Sequence, residues 1–149
     1  MKPLSQILGN IYEQAANGRD DARLFLLGWH HYCHLIDDLV DGDVTPTAET
    51  ICEVLVMACK LLSTPFYQAN ALRLSGVVVA ITNTYADSVA WERTDTAWKK
   101  QVADTIRQTG NDMIATVADI TGGYRGMRSI SLALREEAWR NQHPEVSNG

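Results

Sequence analysis

Apolar residues recur along this chain at three- and four-residue spacing almost from end to end, and period-two alternation is scarce. The chain is therefore read as all-α. Start and stop signals divide the pattern into about six helices. The first runs from about Leu4 to Asn17 and stops at Gly18. The second starts at Asp20 or Asp21, whose carboxylates suit a helix N-terminus, and runs to about Asp41 before Gly42. Thr47 caps a third helix that ends near Leu62. Thr64 and Pro65 form a cap and first-turn pair for a fourth, which bends near Gly76 and reaches about Glu92. A fifth opens at Thr94 or Thr96 and reaches Ile120, where Gly122 and Gly123 end it. The sixth covers roughly Tyr124 to Asn141. Connections this short make consecutive helices neighbours, so the expected architecture is a compact antiparallel bundle of five to six helices. Residues 1–142 form one domain in this reading, and 143–149, HPEVSNG, form a frayed tail.

At 149 residues, a single domain buries enough surface to fold without a metal or a disulfide. The net charge of −5 argues against a surface built for nucleic acid or an anionic membrane. The charge is uneven. Residues 1–65 carry four basic and nine acidic side chains and residues 66–149 carry nine of each, so the deficit lies in the first half. Cys33, Cys52 and Cys59 are odd in number, make no CxxC pair and sit in apolar helical patterns, which points to a reducing, cytoplasmic setting. The longest apolar stretch, around GVVVAI, is far short of the ~20 residues of a membrane span.

The second helix carries the sharpest signal. Phe25, Trp29, Tyr32, Ile36, Leu39 and Val40 share one side and face the core. The opposite side stacks His30, His34, Asp37 and Asp41 within about 60° of arc, with Asp38 beside them. Carboxylates one turn apart suit a hard cation such as Mg2+ or Mn2+, which keeps waters for a substrate phosphate to displace. Asp37, Asp38, Asp41 and Asp43 also repel one another and oppose the helix dipole, each at roughly 0.3–1 kcal/mol, a strain that a cation would relieve. His30 and His34 have zinc spacing, but HHYCH lacks the glutamate of HExxH. They read better as hydrogen-bond partners of Asp37 and Asp38.

A metal-phosphate site needs ligands from more than one helix, and two further stripes supply candidates. In the fifth helix Asp104, Gln108, Asn111, Asp112 and Asp119 fall within about 100° of arc. In the fourth, Asn83 and Asp87 lie one turn apart inside LSGVVVAITNTYADSVAW, where buried polar groups require partners. Convergence of the stripes would place Asp37, Asp38, Asp41, Asp87, Asn111 and Asp119 around one acidic pocket. Arg125 and Arg128 would supply the planar fork that suits phosphate. Trp29, Trp91, Trp98 and Trp139 fit the core or the interface of a homo-oligomer.

The run HYCHLIDDLVDGD resembles the first aspartate-rich motif, DDxxD, of class I isoprenoid synthases, especially the squalene and phytoene synthase branch. The resemblance implies that Asp37 and Asp41, supported by Asp38, hold Mg2+ against a prenyl diphosphate. NDMIATVAD, with Asn111 and Asp119 at its outer positions, looks like the family's second motif, with Ala115 in the place of the middle ligand. A second resemblance is to all-helical nucleotide pyrophosphohydrolases of the MazG and dimeric dUTPase type. Asp38 and Asp41 followed by Glu49 and Glu53 echo their paired acidic motifs, with Val56 where the last acid would stand. The segments ADSVAWE and ITGGYRGMR are also similar in style to small proteins of bacteriophages and mobile elements.

Two functions are therefore expected from the sequence. One is Mg2+-dependent binding and hydrolysis of a small-molecule diphosphate, a nucleotide or a prenyl diphosphate. There the metal polarises the phosphoryl oxygens, His34 or a carboxylate orients water, and arginine neutralises the developing charge. The other is a non-catalytic helical binding or assembly protein whose acidic face is solvated. Convergence of the carboxylates would favour the first, and a large exposed apolar patch the second.

Overall fold

The structure, a computed structural model, describes residues 9–143 and 145, and among these it contains helices and turns but no strand. Among the described residues, seven α-helices follow in order: α1 (Asn10–Ala16), α2 (Asp20–Asp41), α3 (Ala48–Leu62), α4 (Pro65–Ala69), α5 (Ala71–Glu92), α6 (Ala97–Arg107) and α7 (Asp112–Gln142), with a 3-10 turn, Gln108–Asn111, between the last two. No helix among the described residues is long and apolar enough to cross a membrane. The chain divides into two compact units, residues 1–71 and 72–149.

In the first unit, α1 ends where Asn17 turns left-handed at φ 50° and its N–H reaches back to the carbonyls of Glu13 and Gln14, both at 3.1 Å. The part of the first expected helix that precedes Gly9 lies outside the described residues. Arg23 on α2 donates to Glu13 on α1 at 3.2 Å and also pairs with Asp20. α2 has the expected bounds, and Gly42 at φ 83° closes it. Thr47 caps α3 reciprocally with Thr50, as the capping box requires. Phe25 of α2 packs on Phe66 and Tyr67 of α4 at centroid distances of 5.4 and 6.1 Å, which together with Ala22, Leu26, Trp29 and Leu61 makes the core.

The fourth expected helix proves to be two. The break falls at Asn70, whose side chain donates to the Phe66 carbonyl at 2.8 Å and whose backbone leaves the helical region at φ −125°. Gly76, where a bend was expected, lies inside an uninterrupted α5. A hydrogen-bonding asparagine thus ends a helix that an isolated glycine merely weakens.

The second unit is organised by Gly123. At φ 69° and ψ −174° this glycine breaks α7 into arms 112–122 and 124–142, which agrees with the expected stop at Gly122 and Gly123. The arms fold back on each other. Asp112 meets Arg135 at 3.4 Å and Asp104 meets His143 at 3.1 Å, whereas 23 residues of straight helix would span roughly 34 Å. His143, the first residue of the expected tail, also stacks on Trp139 at 4.5 Å. α5 runs antiparallel to the first arm, since Arg107, just before that arm, reaches Glu92 at the end of α5 at 2.5 Å and Asp119 late in the arm pairs with Arg73 near the start of α5. Leu74, Ile81 and Ser88 of α5, spaced seven apart, are buried in this unit, as are Ala103, Met113, Ile114, Val117, Ala118, Ile130 and Leu134. The fifth expected helix is not continuous to Ile120. Its rungs tighten to a 3-10 turn over Gln108–Asn111, where Gly110 weakens the helix.

Candidate functional site

α2 presents its aspartates at its C-terminal end, with no basic residue in the last turn. Asp37 and Asp38 are half-buried and Asp41 is exposed. The expected apolar face holds in the first half, where Phe25 and Trp29 are buried, and loosens in the second, where Tyr32, Ile36, Leu39 and Val40 are half-buried. The histidines associate with each other. His30 meets His34 edge to face at 4.2 Å and His31 at 5.8 Å. Burial, reinforced by the charges His34 and His31 would carry, pushes the His30 imidazolium down to about 4. Burial and the nearby Asp37 carboxylate push the Cys33 thiol up to about 12. His34, the expected water-orienting base, is exposed.

The acidic groups of the second unit serve its packing. Asp119 pairs with Arg73 of α5, Asp112 with Arg135 of the second arm of α7, and Asp104 with His143. The stripe read as one face is split, because the 3-10 turn rotates everything after it relative to α6. Asn111 Nδ2 donates to the Gln108 carbonyl at 3.1 Å and so closes that turn. Asn83 and Asp87, expected within an apolar stretch, are exposed and bonded to each other at 3.3 Å. Their helix buries only one narrow line of residues in this unit, and these two lie off it. Arg125 and Arg128 are exposed just beyond the Gly123 break. Among the described residues, no three His, Cys, Asp or Glu side chains come together as a group able to hold a metal ion.

The feature that the sequence reading passed over is α3. Eleven of its 15 residues are apolar, yet Leu61 is the one residue of the helix that is buried. At about 100° per residue, Val54, Met57, Ala58 and Leu61 share the inward arc. A second arc of about 140° carries Ile51, Leu62, Leu55, Cys59, Cys52 and Val56, all exposed: Ile51 is 57% open, Leu55 65% and Val56 51%. Glu49, Glu53 and Lys60 fill the narrow remainder. The signal was present in AETICEVLVMACKLL, where the polar arc is too narrow for a helix packed on one side only.

Compared with protein-family models, with curated proteins and with solved structures, the chain matches none.

Proposed function

We propose that this protein is a non-catalytic helical binding or assembly module that works through the outer face of α3. The observation that carries this reading is Leu55, 65% exposed in the middle of a helix flanked by Ile51, Val56 and Leu62, which are also exposed. Soluble chains seldom leave contiguous apolar area open unless something docks there. The acidic side chains give independent support. Asp112 and Asp119 are engaged in ion pairs of the second unit, Asp104 lies 3.1 Å from His143, and Asn83 binds Asp87 in the same unit.

A second reading rests on α2, whose crowded aspartates oppose its dipole at an end that lacks a basic residue. There Asp37, Asp38 and Asp41 would bind Mg2+ or Mn2+ and a small-molecule diphosphate. Thermal unfolding in EDTA, Mg2+ and Mn2+, each with and without pyrophosphate, separates the two. The module reading expects one midpoint throughout. A metal-dependent rise that Asp37→Ala plus Asp41→Ala abolishes would overturn it in favour of the diphosphate reading; a ligand at 100 times its Kd contributes about 2.7 kcal/mol. The docking face is tested on the same samples with an apolar dye. Either the dye binds and Leu55→Lys removes the binding, or the face is already covered by association that Leu55→Lys abolishes.

A further inference from the structure

We propose that the outer face of α3 is covered by a second copy of this chain, the two helices packing antiparallel about a two-fold axis between Leu55 and Val56. The inference rests on the reading of that face as a docking surface and names its occupant. An isologous contact requires a face complementary to itself, so that where residue i of one copy meets residue j of the other, j of the first also meets i of the second. The axis lies near the middle of α3, which spans Ala48–Leu62. Leu55, the most exposed of its large apolar residues, then packs against Val56 and Leu55 of the other copy across the axis.

Charge supports the same arrangement. Glu49, Glu53 and Lys60 lie on one flank of the apolar arc, and none of them forms an ion pair among the described residues. In antiparallel pairing like flanks face each other. The two-fold axis brings Lys60 of one copy to the height of residue 51 of the other, between Glu49 and Glu53 and about 3 Å along the axis from each. Parallel pairing would instead set this charged flank of each copy against the opposite flank of the other, which carries no charged residue, and the charges would go unmatched. Antiparallel helix dipoles favour the same choice. One face of a single 15-residue helix is small for a specific interface, so the pair dissociates on dilution.

The thiols make the geometry testable without adding any group. Cys52 and Cys59 are exposed and seven residues apart on this face, and the axis places Cys52 of one copy opposite Cys59 of the other. Cys33, with its thiol pushed up to about 12, stays unreactive at neutral pH. Full-length protein is oxidised with copper phenanthroline after its mass is measured by light scattering across a concentration series. The expected result is a monomer–dimer equilibrium. Cys52→Ser alone and Cys59→Ser alone give little covalent dimer, whereas a mixture of the two variants gives a cross-linked heterodimer. Cross-linking of each variant with itself overturns the antiparallel arrangement, and a monomer at every concentration overturns self-association. A monomer that binds apolar dye through Leu55 leaves the docking reading standing while this inference fails. A monomer that binds no dye removes both. Leu55→Lys, checked for unchanged helicity by circular dichroism, is expected to abolish the dimer, and the serine variants test the contact even if the lysine perturbs the helix.

Discussion

Leu61 Cδ1 stands 3.2 Å from the position a Cβ on Gly28 would occupy, so α2 and α3 meet where one of them has no side chain. Gly76 in α5 has nothing within 4 Å of the same position and sits in an exposed part of its helix. Both glycines weaken their helices by about 1 kcal/mol relative to alanine. Gly76→Ala is therefore expected to stabilise the protein by about 0.5–1 kcal/mol. Gly28→Ala gains the same propensity but must displace the buried Leu61, and its net effect is expected near zero. Gly28→Val is expected to cost about 1–3 kcal/mol through overpacking. Urea unfolding of the three variants checks the order, and a Gly28→Ala gain equal to that of Gly76→Ala would remove the close contact from the account.

Arg107 ties the end of α6 to α5. Its guanidinium meets Glu92 at 2.5 Å, its Nε donates to the buried Ser88 hydroxyl at 3.3 Å, and its Cζ lies 5.6 Å from the centroid of the Tyr85 ring. The ion pair with half-exposed Glu92 contributes little, while loss of a donor to a buried hydroxyl costs about 1–3 kcal/mol. Arg107→Ala is expected to destabilise by about 1–2 kcal/mol. Arg107→Lys is expected to recover less than half, because a point charge cannot serve the carboxylate, the hydroxyl and the ring face together. Chemical denaturation of the two variants measures both values.

His30 makes stability depend on pH below neutrality. In the unfolded chain it takes up a proton near 6.5, while in the folded protein burial and the neighbouring histidines hold that step down to about 4. Between these values the unfolded state binds more protons. Stability present above pH 6.5 is therefore lost as the pH falls toward 4. Partial exposure weakens the full 1.36 kcal/mol per pKa unit, which leaves a loss on the order of 1–2 kcal/mol. His30→Gln is expected to flatten the stability profile between pH 6.5 and 4 relative to wild type. Parallel profiles would assign the acid sensitivity to other groups.

What was legible in the sequence was what local chemistry decides. Gly42, Thr47, Thr64 with Pro65 and Gly123 all act within one turn, so the bounds of α2, the cap of α3, the start of α4 and the break in α7 could be read from residue types alone. The break at Asn70 and the 3-10 turn at Gln108–Asn111 depend on side-chain bonds to particular carbonyls, and periodicity carries no trace of these. Site geometry was harder still. Asp119 and Arg73 are 46 residues apart, and helical spacing gives the side a residue lies on but not the helix it faces. α3 is the instructive case. Its excess of apolar residues was visible, but whether its own unit covered both arcs could be told only from the packed structure.

The central claim is that the outer face of α3 is open in one chain and closed by another. The direct measurement is the rate at which Cys52 and Cys59 are alkylated in the native protein as its concentration is raised. Both thiols are exposed in the single chain, so dilute protein is expected to react fast, with the rate falling severalfold as dimer forms and with Leu55→Lys reacting fast throughout. A wild-type rate that stays the same at every concentration would contradict the account.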